Sequence, residues 1–312
     1  MADTGLYQLY TTQFTTVLEL KLQQMGSKLR GKLREGFHVG KMASPVNQVA
    51  AVQLKAPAGR FAPIQRTEVD FTRRWVFPQD GELSQLIDSF DELKTIVDPK
   101  AQFSDNAAMA VGRAWDDCII ANAFATSQTG QDAASLSAET FNNGTTVGNV
   151  GFTVVTSFGA GGTNVGLTVA KLIEIKRTFR HYHVDFDTDP LCLVIGSTQE
   201  ADLLKQVQVV STEFNDRPVL TDGRITRFLG INFVISERLQ VSASIRNTIF
   251  FAKSGLYLGV WKDMTNIASQ RNDLSGHPYQ IYTMVSFGAT RTQPGKVVEV
   301  MCADTVGADI TP

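Results

Sequence analysis

Cysteine, histidine and charge of one sign are all scarce in this chain of 312 residues. Its three cysteines, Cys118, Cys192 and Cys302, lie far apart and form no CxxC pair. This excludes a disulfide framework and a cysteine-based zinc site, and we expect buried free thiols. Lysine and arginine number 29 against 31 aspartates and glutamates, a net charge of −2. Binding of nucleic acid through a large positive surface is therefore excluded as well.

Long apolar runs are missing too. No stretch approaches the roughly 18 consecutive apolar residues of a membrane-spanning helix. Residues 1–14 lack the basic segment and the following apolar segment of a secretory signal. We expect neither membrane insertion nor secretion, so Asn143-Gly144-Thr145 is interpreted as a turn rather than a glycosylation site.

The sequence also lacks catalytic and cofactor-binding motifs. Its four histidines are accompanied by no GxSxG motif. Residues 159–166 have Asn164 where a dinucleotide-binding loop needs glycine, and residues 288–296 have the wrong spacing for a phosphate loop. We predict no catalytic residue, no cofactor and no enzyme activity. A soluble α+β enzyme is the disfavoured alternative.

One polar cluster is compatible with metal binding by residue type alone. His181, His183, Asp185, Asp187 and Asp189 supply imidazoles and carboxylates. Their spacing matches neither a zinc site nor an EF-hand. The favoured interpretation is the end of a helix followed by a solvated acidic loop, so no metal site is predicted.

The first 35 residues predict a long amphipathic helix. Its apolar residues recur at spacings of three and four, which places them on one helical face. They are Tyr7, Tyr10, Phe14, Leu18, Leu22, Met25, Leu29 and Leu33. Gly26 and Gly31 weaken the second half of this helix. The sequence leaves open whether the helix packs on its own subunit or extends as an arm onto a neighbour.

Residues 36–80 predict a long two-stranded β-hairpin. One strand is expected at Val49–Leu54 and the other at Thr67–Phe77, where apolar and polar residues alternate. Two prolines and a glycine within residues 55–63 predict a turn-rich tip. Because an isolated hairpin is marginally stable in water, we expect this one to need a partner surface.

Two helices are predicted next. Gly81–Val97 has apolar residues at helical spacing and ends at Asp98-Pro99. A longer helix begins at Ser104 or Asp105, and its many small residues predict close packing on several sides. On this helix, one of the adjacent Asp116 and Asp117 is expected to pair with Arg113.

The rest of the chain predicts an α+β fold, because helices and strands follow one another without a regular βαβ rhythm. Residues 126–166 read as loops and a β-hairpin, with a short apolar run at 152–155, and Pro294-Gly295 is predicted to form a hairpin turn. The predicted helices are Thr168–Phe179 and Ser197–Val209, the latter opened by a capping box. The predicted strands are Leu191–Ile195, Ile231–Ile235, Thr248–Ala252, Leu256–Trp261, Tyr279–Phe287 and Lys296–Cys302.

The order of these segments resembles the major capsid proteins of tailed bacteriophages, whose fold is named after phage HK97. The N-terminal helix and the hairpin carry part of the resemblance. The other parts are Val97-Asp98-Pro99 leading into Asn106–Asp117, the segment Asp222–Leu239, and the closing strands Phe287–Arg291 and Gly295–Cys302.

The resemblance implies a division of the chain. Residues 1–35 are expected to form an N-terminal helix or arm, and residues 36–80 the hairpin called the E-loop. Residues 81–130 are expected to form a peripheral domain with a long spine helix, and residues 131–278 an axial domain with a loop-rich start. Residues 279–312 are expected to return to the peripheral domain as closing strands.

The hairpin and the first helix are expected, on the same basis, to contact neighbouring subunits. The residues assigned to this contact are Lys55, Arg60, Phe61, Arg66, Arg73, Arg74, Trp75, Tyr7 and Phe14.

The resemblance also implies a function. The chain is expected to assemble with copies of itself into pentamers and hexamers of an icosahedral head that encloses double-stranded DNA without reading its sequence. A separate scaffolding protein, a portal and a cement protein are the expected partners, and the virion, assembled in the bacterial cytoplasm, is the expected location. The alternatives are an encapsulin-like compartment and a phage tail or tube protein.

Overall fold

The structure is a computed structural model that describes residues 20–56, 59–61, 63–64, 66–88, 100–141, 152–206 and 225–304. Its helices are α1 Lys100–Phe124, α2 Val169–His181 and α3 Ser197–Leu204. Its strands are β1 Arg34–Phe37, β2 Ala43–Val49, β3 Phe71–Val76, β4 Gln79–Ile87, β5 Ser127–Gly130, β6 Ser137–Glu139, β7 Phe152–Val154, β8 Leu191–Ile195, β9 Arg227–Phe228, β10 Ile231–Ile235, β11 Val241–Ser242, β12 Ile245–Ala252, β13 Leu256–Gln270, β14 Tyr279–Arg291 and β15 Val297–Ala303.

Four strands in the order β1-β13-β14-β4 form a sheet, here called the spine sheet, that lies against α1. Val111, Trp115 and Cys118 of α1 pack on Val285 and Phe287 of β14. These helix positions recur at spacings of four and three, so they lie on one face of α1, which is buried against the sheet. The predicted long helix is confirmed, and its described part begins earlier than predicted, at Lys100.

A second, mixed sheet, here called the central sheet, contains most of the hydrophobic core. Its strands follow the order β7-β15-β12-β8-β10-β9, and β11 pairs with β12. The middle strand β8 is buried along its whole length. Helix α2 covers one face with Leu172, Ile175 and Phe179, and Leu29 and Leu33 pack with residues of the other face. Among the described strands antiparallel pairs outnumber parallel ones, and helices and strands do not alternate regularly, which confirms the α+β class.

The third sheet, here called the hairpin sheet, has the order β2-β3-β5-β6. The predicted hairpin is present, but its first strand is Ala43–Val49 rather than Val49–Leu54. The hairpin is also not simply two-stranded, because β3 pairs with β5 of the same chain. Its base therefore has a partner surface within its own subunit.

The strand and helix predictions after residue 167 are confirmed, with shifts at their ends. Thr168 caps α2, as its side chain accepts a hydrogen bond from the Lys171 amide. Helix α3 ends at Leu204, and the residue before its first turn is Gly196 rather than Ser197. Here the Gly196 amide donates to Gln199 Oε1 at 3.1 Å, one half of the predicted capping box in a register shifted by one residue.

The helix predicted at Gly81–Val97 is wrong over residues 81–87, and residues 89–99 lie outside the described residues. Residues 79–87 form β4, which pairs with β14 without interruption over nine residues. Leu83, Leu86 and Ile87 happen to have helical spacing, but alternate residues of β4 are the less exposed ones. Pairing with a long neighbouring strand therefore outweighs local helix propensity.

The predicted N-terminal helix is wrong over residues 20–33, which have no helical structure. Gly26 and Gly31 have φ angles of 71° and 85°, outside the helical region. Leu22 and Met25 are exposed, whereas Leu29 and Leu33 are buried, so the four residues do not share a face. Residues 1–19, the first half of the predicted helix, lie outside the described residues.

The turn at Pro294-Gly295 does not close a hairpin. It forms a short 3₁₀ turn, Pro294–Lys296, between β14 of the spine sheet and β15 of the central sheet. The prediction of a turn is confirmed and that of a hairpin is wrong.

Candidate assembly surface

The outer part of the hairpin has no regular structure in its described residues. Pairing of β2 with β3 ends at Val49↔Phe71, and one further backbone hydrogen bond joins the Ala50 amide to the Asp70 carbonyl at 2.9 Å. Beyond this point the described residues belong to no strand or helix. In their described residues the two arms are therefore not joined by a strand ladder beyond Ala50 and Asp70.

Large apolar side chains are concentrated on these arms and face solvent. Leu54, Phe61 and Ile64 are 104%, 94% and 96% exposed, and Val49, Val52 and Phe71 are more than half exposed. Six exposed large apolar residues within one excursion of the chain are unusual for a soluble monomer and favour an interaction surface.

Positive charge accompanies the apolar side chains. Lys55, Arg60, Arg66 and Arg73 are all exposed. The Arg60 guanidinium lies over the Phe61 ring, 5.4 Å from its centre. A surface that combines apolar area with cations suits a partner surface that carries apolar area and carboxylates.

Arg74 and Trp75 are placed differently. Both are buried in their own chain: Arg74 forms an ion pair with Glu139 of β6, and Trp75 Nε1 donates to the Gly130 carbonyl at 3.3 Å. Because these contacts lie within the subunit, the side chains of Arg74 and Trp75 are not part of the exposed surface of the hairpin. Tyr7 and Phe14 lie outside the described residues.

Arg291 fixes the base of the hairpin to α1. Its side chain is fully buried and donates to the carbonyls of Ala123 and Ala125, both at 2.9 Å, at the end of α1. It also donates to the Glu139 carbonyl at 3.2 Å. Burial lowers the pKa of Arg291 to about 10, which still leaves the guanidinium charged at neutral pH.

Two buried arginines therefore share one glutamate at the root of the hairpin. Glu139 bonds Arg74 through its carboxylate and Arg291 through its carbonyl. The Nε atoms of Arg74 and Arg291 have no hydrogen-bond partner in the described part of the chain. Such an arrangement is sensitive to the loss of its single carboxylate, since the second charge would be left uncompensated.

The histidine and aspartate cluster after α2 does not form a ligand set. His181 and His183 are exposed, and Asp189 accepts a hydrogen bond from the Ser254 amide at 2.9 Å. Among the described residues no group of three or more histidine, cysteine, aspartate or glutamate side chains is arranged to hold a metal ion.

The three cysteines are free and buried, as the sequence predicted. Burial raises the pKa of Cys192 to about 12 and that of Cys302 to about 11. Both thiols are therefore protonated at neutral pH and unreactive, because the thiolate is the nucleophilic form.

Of the helices in the described ranges, none has the length and apolar character needed to cross a membrane.

Two structural contacts were missed by sequence reasoning. Arg30 lies over the Trp115 ring at 4.2 Å and donates to both carboxylate oxygens of Asp263, at 3.2 and 3.0 Å. The Arg291 contacts described above were also missed. In both cases the partners are far apart in sequence, and no short motif signals such contacts.

Solved capsid proteins of phages share this architecture. The capsid protein of cyanophage Pam1 is 15% identical, with a TM-score of 0.72 over 99% of this chain and 100% of the other. That of cyanophage P-SCSP1u is 14% identical, with a TM-score of 0.72 over 97% and 96%. The capsid protein of the native GTA particle is 12% identical, with a TM-score of 0.68 over 97% of each chain. The chain therefore has the fold of phage capsid proteins, which the sequence resemblance predicted.

The family follows from the sequence itself. Residues 6–304 match the phage capsid protein family, and the chain belongs to that family. It is a capsid protein and a component of the virion. No protein of curated function matches its sequence. The match favours a capsid protein over a tail or tube protein.

Proposed function

We propose that the chain is the major capsid protein, and that copies of it assemble as pentamers and hexamers into an icosahedral head that encloses double-stranded DNA. The observation that carries the proposal is the hairpin, which exposes apolar side chains at its outer part while buried charges fix its root. A monomeric protein gains nothing from such a surface, whereas a shell subunit buries it against an adjoining copy.

The proposed contact uses the exposed part of the hairpin. Leu54, Phe61 and Ile64 supply apolar area, and Arg60 and Arg66 supply charge. Lys55 and Arg73 extend the charged part at either side. Burying three large apolar side chains contributes about 5–9 kcal/mol before the entropy of ordering the arms is subtracted. Many such contacts act together in a closed shell.

The domain layout follows the same proposal. In this proposal residues 36–80 are the E-loop, α1 with β13 and β14 belongs to the peripheral domain, and the central sheet with α2 and α3 forms the axial domain. Two strands thereby change domain relative to the division expected from the sequence: β13 pairs with β14 and is assigned to the peripheral domain, and β15 lies in the central sheet and is assigned to the axial domain. A scaffolding protein, a portal and a cement protein are the proposed partners, with assembly in the bacterial cytoplasm. The near-neutral net charge suits a wall that encloses DNA without binding it strongly.

Shortening the hairpin tests the function. The Ala50 amide and the Asp70 carbonyl are hydrogen-bonded, so residues 51–69 can be replaced by Asn-Gly, a sequence that favours a tight turn. We expect a folded subunit with the near-ultraviolet circular dichroism of the full chain. It forms no closed shells in negative-stain electron microscopy, whereas the full chain does.

The matched control keeps the length of the arms and changes a side chain outside the hairpin. Ile173 is exposed on α2, and Ile173→Ser is expected to leave assembly through the hairpin unchanged. Closed particles of normal size from the shortened chain contradict the proposal, because the hairpin contact would then be dispensable.

A further inference from the structure

The spine sheet ends on each side in a strand that has one neighbour. Among the described strands, β1 pairs with β13 alone and β4 pairs with β14 alone. The His38 amide, directly after β1, donates to the Val260 carbonyl of β13 at 2.9 Å. Because successive amides of a strand point to opposite sides, the Phe37 amide points away from β13. Both edges of the sheet therefore carry backbone groups that another chain can reach.

The β1 edge carries cations. Arg34 lies within β1, and Lys32 and Lys41 lie in the segments directly before and after it. All three side chains are exposed, and within the described ranges none of them has a carboxylate at ion-pair distance. They are available to an anionic partner.

The carboxylates close to β1 are already paired. Arg30 donates to Glu35 at 3.4 Å and to both carboxylate oxygens of Asp263 at 3.2 and 3.0 Å. One cation and two carboxylates give this group a net charge of −1. Together with the three unpaired cations, the β1 edge keeps a net charge of +2.

The β4 edge carries the opposite charge. Asp80 and Glu82 are exposed, and β4 contains no lysine or arginine. The Tyr282 hydroxyl donates to Glu82 at 2.7 Å, which leaves the carboxylate charged. Lys262, two strands further in on β13, contacts Met284 Sδ at 2.6 Å and pairs with neither carboxylate. Even with Lys262 counted, this edge keeps a net charge of −1.

The unlike charges lie on the same face of the sheet. Val285 packs on α1, and a Cβ atom at Gly81 would lie 3.3 Å from Val285 Cγ1. Asp80 and Glu82, on either side of Gly81, therefore point away from α1. Arg34 points the same way, because its partner in β13 alternates with residues that pack toward α1.

Exposed apolar side chains accompany the charges at both edges. Phe37 and Val39 are 75% and 97% exposed at the β1 edge. Leu86 of β4 is 52% exposed, and Phe77, just before β4, is 38% exposed. Each edge thus combines charge with apolar area, as the core and rim of a protein interface do.

We propose that the β1 edge of one copy binds the β4 edge of a second copy, so that the spine sheets of adjoining subunits meet edge to edge. Arg34 and Lys41 pair with the carboxylates of β4, and Phe37 lies against Leu86. The proposal rests on the proposed function, because it requires adjoining copies. It adds a contact that is separate from the hairpin.

Two observations favour a second copy as the partner. The two halves of the contact, unlike in charge, lie on opposite edges of one sheet, which is the requirement for a head-to-tail contact that closes into a ring. The two edge strands also run in the same direction, since β1 is parallel to β13, and β13 and β4 are both antiparallel to β14. Successive copies can therefore present β1 to β4 without reversing a strand.

Reversing the charges tests the contact. One variant carries Arg34→Glu and Lys41→Glu, and another carries Asp80→Lys and Glu82→Lys. Each is expected to lower the yield of closed shells about tenfold, because like charges then face each other. A chain with all four changes is expected to recover the yield to within about twofold, since unlike charges face each other again. A loss of folding alone would not be rescued in this way.

The matched control reverses two exposed cations elsewhere. Arg177→Glu with Arg180→Glu changes the outer surface of α2 and is expected to leave the shell yield unchanged. Yield is measured by sedimentation and negative-stain electron microscopy, and near-ultraviolet circular dichroism verifies that each variant is folded.

Zero-length cross-linking of assembled shells locates the contact directly. A carbodiimide joins an amine to a carboxylate that it touches, and we expect links from Lys32 or Lys41 to Asp80 or Glu82. Within one copy the two edges are three strand spacings apart, about 14 Å. Shells assembled from mixed natural and nitrogen-15-labelled chains are expected to give linked peptides of mixed isotope content, which shows that the link joins two copies.

Other results overturn the proposal. These are shell yields that neither reversal changes, a four-fold variant that folds but is not rescued, or links from Lys55 of the hairpin to Asp80 or Glu82 in place of links from Lys32 and Lys41. All measurements compare variants with natural chain that assembles. Absence of shells from the natural chain contradicts the proposed function, whereas normal shells without this contact contradict only the edge-to-edge proposal.

Discussion

A single buried carboxylate, that of Asp116, organises the segment that precedes β1. It accepts hydrogen bonds from the Lys28 amide at 3.0 Å, from the Leu29 amide at 3.2 Å and from the Ser27 hydroxyl. Amides that a helix would satisfy internally are satisfied here by a side chain. This explains why residues 20–33 depart from the helix that their apolar spacing predicts.

The sequence predicted that Asp116 or Asp117 forms an ion pair with Arg113, and this prediction is wrong. Charged residues three or four positions apart on a helix can form an ion pair, but residues from other segments can bind the same groups instead. Here Gln23 binds Arg113 and Arg238 binds Asp117.

Gly112 is the residue at which α1 and this segment approach most closely. A Cβ atom at Gly112 would lie 2.5 Å from the Gly26 carbonyl carbon and 2.7 Å from the Ser27 amide nitrogen. Both neighbours are backbone atoms, which cannot rotate away. We expect Gly112→Leu to lower the free energy of unfolding by about 1–3 kcal/mol or more, measured by urea denaturation.

The control for this change is Ala121→Leu, since Ala121 is exposed on the same helix. It adds similar bulk without a backbone neighbour, so the free energy of unfolding is expected to stay within about 0.5 kcal/mol. Unchanged stability of Gly112→Leu would show that α1 and residues 26–27 are not packed as described.

Glu299 gives the stability a dependence on pH. The side chain is buried in β15 and accepts one hydrogen bond, from the Thr153 hydroxyl at 2.9 Å. Burial raises the pKa of Glu299, and the Thr153 hydrogen bond opposes this only partly. The folded state thus favours the protonated form, so this group stabilises the fold most below its ordinary pKa and loses that contribution as pH rises through the folded value.

We therefore expect Glu299→Gln to be more stable than the natural chain at neutral pH, with a difference that shrinks as the pH falls toward the ordinary pKa of glutamate. Glutamine keeps an acceptor for Thr153 without a charge. Urea denaturation at two pH values measures this, with the exposed Glu68→Gln as control. A variant that is less stable at neutral pH contradicts the assignment.

At the scale of elements, the hairpin combines a weakly supported outer part with a firmly held root. Beyond Val49 and Phe71 the described residues of its arms form no ladder, while Arg74, Glu139 and Arg291 fix β3, β6 and the end of α1 to one another. A rigid root limits the directions in which the arms can leave the subunit.

Removing the shared carboxylate should loosen this root. Glu139→Gln is expected to cost about 2–3 kcal/mol, below the value for a fully buried pair because Glu139 keeps 24% of its side chain exposed. Hydrogen exchange is expected to quicken at the β3 and β5 amides and to stay unchanged in α2. Glu174→Gln, which removes an ion pair on the surface of α2, is the control.

The opposite result is also informative. If exchange at β3 and β5 stays as slow in Glu139→Gln as in the natural chain, the pairing of β3 with β5 supports the hairpin root without Glu139.

Elements whose pattern is set by their own residues could be predicted from the sequence. In helices α1 and α2 the apolar residues recur at helical spacing, and strand β8 is a short continuous apolar run. All three elements contribute buried residues to the core. Strand β4 could not be predicted, because its structure depends on β14, some 200 residues later. For the same reason the sequence did not predict that β3 pairs with β5 as well as with β2.

The contact of the hairpin residues with a neighbouring subunit stays a prediction. Lys55, Arg60, Phe61, Arg66 and Arg73 are exposed on the hairpin and so are available for such a contact, whereas Arg74 and Trp75 are buried in their own chain. The alternation of apolar and polar residues along β3 did not predict the burial of Arg74. A buried arginine needs a partner such as Glu139, which lies on β6, and the pattern within one strand cannot reveal a partner on another.

At the scale of the whole molecule, the order of segments predicted the fold better than any one segment did. A family resemblance tolerates errors at individual elements, because its evidence is the succession of hairpin, long helix and closing strands. This explains why the fold was predicted correctly although the helices expected over residues 20–33 and 81–87 were not found.

Arg291 occupies the point where all three sheets meet. It is the last residue of β14, it bonds β6 in the hairpin sheet, and only five residues separate it from β15 in the central sheet. A pull applied to the root of the hairpin is consequently transmitted to the middle of the subunit through backbone and buried charge. In a DNA-filled head built from such subunits, mechanical tension between neighbours would be distributed through the interior of each subunit rather than concentrated at its contact surfaces.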